Sequence, residues 1–396
     1  MRTMAKLICI AAAAMLLLLA GCQIAPRDST RPARTKLAAP LVVVPVEQYG
    51  HALIVTSSWD RHGTYHFLID TGSSLTHVSP ELTNRYRVKN APPTGIPPVR
   101  VRSANGDITE LPTTVIEQID LGDAHFEDVP VSIYDCSALS AHFGIKIDGI
   151  LGFSLFRDTR LTLDYPQSRV ILAHAKSNAL VPGTTLPSTN AQGLPFVPVR
   201  LGDREIAMLV DSGSDATLNL DPTGLNLSYR APPRPAVLVG TLTGDHLQEG
   251  ARLNSALQIG NYTVPEPIVY LNESLNSIGG GLLRHFSITF DQAKKNVTFY
   301  REARAPVTVP SKRSTGLSFS KTPAYWRVAG VVPDSHATWA NVQAGDLVSR
   351  INGEPVAQWN FHRYERLIAE AEEVTYTFLR GNEETDRTLA VFLLVP

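Results

Sequence analysis

Two stretches of the sequence decide the fold: FLIDTGSSLTHVSP (residues 67–80) and IAMLVDSGSDATLNLDP (residues 206–222). Each is an apolar, strand-forming run that ends in an aspartate, followed by a small hydroxyl residue, a glycine and a serine. One such aspartate is an ordinary way to close a strand with a turn. Two copies with the same continuation, a polar turn and then an alternating run and a proline, indicate an internal repeat.

The repeat continues downstream of both stretches. SLFRDTRLTLDYPQSRVIL (residues 154–172) aligns without a gap with GLLRHFSITFDQAKKNVTF (residues 281–299), so Thr162 corresponds to Thr289. Short β-branched runs separated by Gly, Pro, Asn and Asp fill both halves, without a long helical period. We therefore predict a mainly β fold with two similar lobes, residues 41–178 and 179–308.

The paired aspartates, Asp70 and Asp211, have a specific chemical use. Two carboxyl groups held within about 3 Å of each other cannot both ionise, so they share one proton. One then activates a bound water while the other polarises a carbonyl. We expect the glycines to permit close approach of the loops, the first hydroxyls to bond across to the opposite loop, and the serines to donate to the carboxylates. These supporting residues are Thr71, Gly72, Ser73, Ser212, Gly213 and Ser214.

With these motifs the chain resembles the aspartic proteases of the pepsin and retropepsin group, as two retropepsin-type units fused in one polypeptide. A further motif, Ile150, Leu151 and Gly152, is similar to the apolar-apolar-Gly element that supports the catalytic loop in that family; the second copy reads Ser277-Ile278-Gly279. The resemblance implies a two-lobed pair of β-barrels in which Asp70 and Asp211 are catalytic. It also implies a monomeric endopeptidase that acts on peptide or protein substrates and needs no cofactor.

The same resemblance implies flap hairpins that cover the substrate. The candidates are the strand–turn–strand patterns around Asn105 and Gly106 in the first copy and around Thr243 and Gly244 in the second.

Residues 309–396 resemble a PDZ domain. The stretch Gly316, Leu317, Ser318 and Phe319 stands where that family has its carboxylate-binding loop, with a serine in place of a glycine. FHRYERLIAEAEE (residues 361–373) predicts a helix with one apolar face. The resemblance implies that a C-terminal peptide adds beside an exposed strand, for substrate recognition or regulation. The alternative is a PDZ-shaped domain that only packs on the protease lobes.

The first residues predict export. Basic residues precede an apolar run that is too short for a comfortable membrane span and ends in Leu19-Ala20-Gly21-Cys22. This resembles the lipobox of bacterial lipoproteins, with residues 1–22 as signal peptide, Cys22 as the lipidated residue and residues 23–40 as a flexible tether. The expected location is the cell envelope, facing the periplasm, with the outer membrane favoured because Gln23 follows. An ordinary secretory signal is the alternative.

Composition excludes other classes of function. A formal net charge of −1 with 18% charged residues does not favour a nucleic-acid partner. His62, His66 and His77 surround the first aspartate, but no spacing of carboxylates or cysteines completes a metal site. Cys136 has no local base, which favours a core residue over a nucleophile. Two functional alternatives stay open: a non-catalytic peptide-binding lipoprotein that uses the same cleft, and a scaffold that works through the PDZ domain.

Overall fold

The computed structural model describes residues 30–60, 63–89, 97–102, 106–177, 179–191, 193–241, 244–271, 275–381 and 383–396. The structure is mainly β, with 51% strand and 13% helix, so the predicted β class is confirmed. No helix in the described ranges is long and apolar enough to cross a membrane. Cys22 and the predicted signal peptide lie outside these ranges.

Most elements of the described chain are short strands. In chain order the strands are β1 Arg34–Leu37, β2 Leu41–Tyr49, β3 Ala52–Asp60, β4 Gly63–Asp70, β5 Thr76–Val78, β6 Val99–Arg102, β7 Ile108–Leu111, β8 Thr113–Leu121, β9 Ala124–Ile133, β10 Gly149–Gly152, β11 Thr159–Asp164, β12 Arg169–His174, β13 Thr184–Pro187, β14 Thr189–Ala191, β15 Leu194–Leu201, β16 Arg204–Val210, β17 Leu218–Leu220, β18 Arg234–Thr241, β19 Gly244–Arg252, β20 Leu257–Ile259, β21 Tyr262–Val264, β22 Ile268–Leu271, β23 Ser277–Ile278, β24 Ser287–Asp291, β25 Asn296–Tyr300, β26 Lys312–Ser314, β27 Leu317–Lys321, β28 Trp326–Val331, β29 Leu347–Ile351, β30 Glu354–Pro355, β31 Glu373–Arg380, β32 Glu383–Ala390 and β33 Phe392–Val395. The α-helices are α1 Pro80–Tyr86, α2 Ser137–Phe143, α3 Gly280–Leu283, α4 His336–Trp339 and α5 Phe361–Glu370, and short 3-10 turns cover Phe153–Phe156, Tyr165–Gln167 and Val356–Gln358.

The largest sheet of the described chain has 13 strands and takes them from both halves of the sequence. Strands β2, β12 and β11 of the first half continue directly into β24, β25 and β13. At the junction, β11 and β24 are antiparallel, and Thr162 is the direct partner of Thr289, with their Oγ1 atoms 2.8 Å apart. The two residues that the sequence alignment equates therefore face each other across this sheet.

The strand that ends in an aspartate has the same surroundings in both halves. β4 runs parallel to β10, which in turn pairs antiparallel with β5, the strand that follows the aspartate. β16 likewise runs parallel to β23, and β23 pairs antiparallel with β17. In both halves the strand β10 or β23 therefore lies between the strand that precedes the aspartate and the strand that follows it. Most of the buried side chains behind them, from β2 through β25, form one apolar core, and a smaller separate cluster includes Ile54, Leu68, Phe143 and Ile150.

Part of the segment predicted as a flexible tether is a strand. β1 lies within residues 23–40 and pairs antiparallel with β9, and Arg34 and Lys36 both form ion pairs with Glu127 on that strand. The tether prediction is therefore wrong for Arg34–Leu37. The sequence signal was weak because these alternating basic residues expose one face and bury little apolar surface.

The last part of the chain has a sheet and a core of its own. Strands β27 to β32 form a six-stranded sheet whose buried side chains include Trp326 and Tyr376. The predicted helix is present as α5, and its Tyr364, Leu367 and Ile368 pack on this core, which confirms that prediction. We call β27 to β32 with α4 and α5 the C-terminal unit. Strand β33 leaves it and pairs with β26 beside the core of the main sheets.

Candidate active site

The two aspartates meet across the interface between the halves. A Cβ atom added to Gly72 would lie within 3.0 Å of the Asp211 carboxyl group, and one added to Gly213 would lie as close to the Asp70 carboxyl group. Each carboxyl thus packs on the glycine of the opposite loop. Because any other residue there would collide with a carboxyl, glycine at these two positions is what permits the approach.

The loops that carry the aspartates are joined by reciprocal hydrogen bonds. The Thr71 amide donates to Ser212 Oγ and the Ser212 amide donates to Thr71 Oγ1, both at 3.0 Å. Thr71 Oγ1 also donates to the carbonyl of Val210, and Ser212 Oγ to that of Ile69, both at 2.7 Å. Thr71 and Ser212 are fully buried, so water cannot replace these contacts. This arrangement fixes the distance between the two aspartates.

The surroundings of the two carboxyl groups raise both of their pKa values. The Gly72 amide donates to Asp70 Oδ1 at 2.7 Å and the Gly213 amide to Asp211 Oδ1 at 3.0 Å. Burial raises the pKa of Asp70, and burial together with the charge of Asp70 raises the pKa of Asp211 well above its usual value. The hydrogen bond between the two side chains raises the pKa of Asp211 and lowers that of Asp70, so the two groups titrate as a pair. Both residues remain partly exposed, so water can reach them.

The serines after the glycines differ from the prediction. The Ser73 hydroxyl donates to the Leu75 carbonyl at 2.8 Å, and because a hydroxyl has one hydrogen it cannot also donate to Asp70. Ser214 Oγ accepts hydrogen bonds from the Ala216 amide and from Asn219. The backbone amides of Ser73 and Ser214, rather than their hydroxyls, lower the pKa values of the neighbouring aspartates.

The apolar-apolar-Gly element lies directly beside each aspartate loop. Gly152 donates its amide to Thr76 Oγ1 at 3.2 Å, and a Cβ added there would collide with the Leu75 carbonyl. In the second copy the buried Ser277 replaces the apolar Ile150. Its Oγ accepts a hydrogen bond from Asn219 Nδ2 at 3.0 Å, and that amide also donates to Ser214 Oγ at 3.2 Å. The serine is therefore satisfied and links the strand to the loop.

The flap candidates are only partly visible. Gly106, with φ of 89°, lies between the paired strands β6 and β7, and Gly244 begins β19, which pairs with β18. Asn105 and Thr243 lie outside the described residues.

The C-terminal unit contacts α2, which in turn contacts the loop of the second aspartate. Asp215, which follows Ser214 in the sequence, has its Oδ2 3.5 Å from Nε2 of His142 in α2. Lys321 of β27 donates to the His142 carbonyl at 2.7 Å and lies over the Phe361 ring of α5 at 4.9 Å. Glu365 lies close enough for the charge of Asp215, after burial, to help raise its pKa to about 7. The charge cluster Asp215, His142, Lys321 and Glu365 therefore joins the unit to the candidate active site.

The candidate peptide loop of the C-terminal unit lies at the start of β27. Gly316 has φ of 87° and fits against Ser335, while Leu317 and Phe319 are buried in the core of the unit. Ser318 is in the paired strand, opposite Gly330. β27 is the outer strand of its sheet, and its other side faces α2.

Sequence reasoning missed two polar residues behind the loops, and it considered His77 only as a metal ligand. His77 in β5 and Asn219 in β17 occupy equivalent positions in the two copies. His77 pairs with Ile150 of β10, and Asn219 pairs with Ser277 of β23. Each contacts the serine of its own loop. The signal that could have found them is their coincidence in the repeat: a residue with a hydrogen-bonding side chain stands in the middle of a three-residue strand in both copies.

Residues 56–155 match the sequence model of the aspartyl protease family. This range contains the Asp70 loop and the strand Gly149–Gly152 that supports it. No curated protein matches the chain at a significant level. The match therefore identifies aspartyl protease sequence in the first half of the chain, which suggests a hydrolase that acts on peptide bonds.

Proposed function

We propose that this protein is an aspartic endopeptidase in which Asp70 and Asp211 activate one water molecule. The observation that carries the proposal is the reciprocal bonding of Thr71 and Ser212, which holds two aspartates in mutual hydrogen-bonding contact. A structural role would not require two carboxyls at this separation, since their repulsion destabilises the fold.

The mechanism follows from the position of the proton. Asp70 accepts a hydrogen bond from the Gly72 amide and carries the negative charge. It takes a proton from the bound water as that water attacks the substrate carbonyl. Asp211 carries the shared proton and donates it toward the carbonyl oxygen, which stabilises the developing negative charge. Collapse of the tetrahedral intermediate returns a proton to the leaving nitrogen. Neither a metal nor a covalent intermediate is needed.

The proposal includes a two-lobed architecture in which a local two-fold axis relates the two halves. It is supported by the facing pair Thr162 and Thr289 and by the mirrored contacts of Thr71 and Ser212. One chain then supplies both aspartates, and the protease unit is monomeric. An extended substrate would run across the cleft between the halves under the hairpins β6–β7 and β18–β19, pairing its backbone with them.

The C-terminal unit is, in this proposal, a PDZ domain that recognises substrate or regulates cleavage. The contacts of Lys321 support this proposal. Lys321 lies over the Phe361 ring and donates to the carbonyl of His142. The side chain of His142 in turn lies beside Asp215, on the loop that also carries Asp211. A lipid anchor at Cys22 would hold the enzyme at the cell envelope, where unfolded or extended segments of exported proteins are the expected substrates.

The test is cleavage of a denatured protein mixture by the purified full chain between pH 3 and pH 7. We expect cleavage that a statine-type transition-state mimic stops and that a chelator leaves unchanged, because the dyad itself activates the water. Cleavage stopped by the chelator, or insensitive to the statine compound, would overturn the proposed mechanism. Binding of unfolded peptides without cleavage would instead identify a peptide-binding protein.

A further inference from the structure

His77 lies directly behind the first aspartate loop and makes a hydrogen bond with each ring nitrogen. Nε2 is 3.0 Å from Ser73 Oγ, and Nδ1 contacts the hydroxyl of Ser132, the cross-strand neighbour of His77 on β9. His77 is 2% exposed and Ser132 is fully buried, so water does not compete for these contacts. The metal-binding interpretation is unnecessary, since both nitrogens have protein partners.

The donor and the acceptor of each of these hydrogen bonds can be assigned, starting from Ser73. Ser73 Oγ donates its only hydrogen to the Leu75 carbonyl, so it must accept from His77 Nε2–H. Nδ1 of a neutral ring then has no hydrogen and accepts from the Ser132 hydroxyl. Each member has one donor and one acceptor role, which holds the ring in the Nε2–H form.

This series of hydrogen bonds ends at Asp70. The Ser73 amide donates to the main-chain carbonyl of Asp70 at 3.3 Å and also helps to lower the pKa of the Asp70 carboxyl, so the position of Ser73 affects that aspartate. In the second half, Asn219 holds Ser214 with a side-chain amide that does not titrate. The two loops are therefore supported by equivalent contacts, of which only the first can be broken by a proton.

We propose that His77 is a positioning residue of the first catalytic loop, which acts through Ser73 on Asp70 and whose protonation adds to that of Asp70 in the loss of cleavage at low pH. This inference rests on the proposed function. A protonated ring would present Nδ1–H to Ser132, whose hydroxyl would lose its acceptor, and the chain would have to rearrange.

The surroundings of His77 give its protonation a defined range. Ser73, Ser132 and the Tyr134 ring, 6.1 Å away, are the groups with hydrogen-bonding or titratable side chains that the described elements β5 and β9 and the first aspartate loop direct at it. Ile150 and Gly149 of β10 cover it with apolar surface and backbone. Burial alone lowers the pKa of His77 to about 4, so the ring is neutral at pH 5 and charged below pH 4.

The test compares two substitutions in the full chain. His77→Asn copies the second half: its amide can still donate to Ser73, so we expect kcat at pH 6 within about tenfold of the wild type. Below pH 4 we expect log kcat to fall less steeply with pH than in the wild type, because Asp70 is protonated but no group at position 77 is. His77→Leu removes the donor, and we expect kcat to fall by roughly 10- to 100-fold with little change in KM, because a displaced loop impairs the reacting geometry. Substitution of the exposed Asp203 is the control.

Nitrogen-15 NMR of the His77 ring supplies a measurement that does not need activity. We expect the neutral Nε2–H form at pH 6 in the inactive Asp70→Asn chain, and titration at about pH 4. A charged ring at pH 6 would overturn the inference, as would an active His77→Leu protein with the pH profile of the wild type. Absence of cleavage by the wild type at every pH would overturn the proposed function, and with it the catalytic role of His77.

Discussion

The cross-loop contacts of Thr71 and Ser212 make a quantitative prediction. Thr71→Val keeps the shape of the side chain but removes the hydroxyl, which leaves the Ser212 amide without its acceptor and the Val210 carbonyl without its donor. Ser212→Ala has the mirrored effect on the Thr71 amide and the Ile69 carbonyl. Both changes occur in fully buried positions, so the stranded groups are not hydrated.

The expected cost follows from the number of groups left unpaired. An unsatisfied buried donor or acceptor costs about 1–3 kcal/mol. Each substitution leaves two such groups, an amide and a carbonyl, without their partner. The cost for the carbonyl is the smaller of the two because its oxygen has a second lone pair. We therefore expect each variant to lose about 2–4 kcal/mol of the free energy of unfolding. Because the contacts are reciprocal, the two losses should agree within about 1 kcal/mol.

Urea denaturation of the full chain measures these losses, with Thr388→Val as the matched control. Thr388 also bonds a threonine hydroxyl, that of Thr375 at 2.8 Å, but it is exposed and its partner is only half-buried, so we expect a change within about 0.5 kcal/mol. If Thr71→Val or Ser212→Ala costs no more than this control, the two loops are not held by these hydrogen bonds and the reasoning fails.

Three further predictions concern charge, the second copy and the C-terminal unit. Because the pKa of Asp211 is raised, the folded chain binds more protons than the unfolded chain above about pH 3.8, and the fold loses stability as the pH rises. Asp211→Asn should therefore raise the melting temperature at pH 7 and have little effect at pH 3. An equal shift at both pH values would show that the carboxyls do not interact. Ser277→Ile, which copies the first half, should lower stability by about 1–2 kcal/mol because Asn219 loses an acceptor, and unchanged urea denaturation would contradict this. Lys321→Met removes the bond to the His142 carbonyl, so amide exchange in α2 and α5 should accelerate while β11 is unaffected; unchanged exchange would show that this contact does not hold the unit.

The mainly β class was predictable because the local pattern repeats. The aspartates were recognisable as a pair for the same reason: two equal motifs at equal positions constrain each other, although neither is informative alone. The alignment also identified Thr162 and Thr289 as equivalent, and a repeat related by a two-fold axis brings such residues face to face.

Other features depend on contacts that a linear pattern does not contain. Strands β24, β25 and β13 join the sheet of the first half, so the sheets do not follow the predicted boundary after residue 178. The direction of the Ser73 hydroxyl is decided by the nearby Leu75 carbonyl, a local competitor for the hydrogen that the motif does not reveal. The contact between Lys321 and α2 brings together segments far apart in the chain, so neither segment predicts it.

The central claim is that Asp70 and Asp211 form one catalytic pair. The most direct measurement is kcat/KM for one peptide substrate, from pH 3 to pH 7, in the wild type and in Asp70→Asn, Asp211→Asn and Asp203→Asn, the last an exposed carboxyl on the turn between β15 and β16. We expect cleavage to disappear in both dyad variants at every pH and to remain in Asp203→Asn. Cleavage that survives in either dyad variant would contradict the claim.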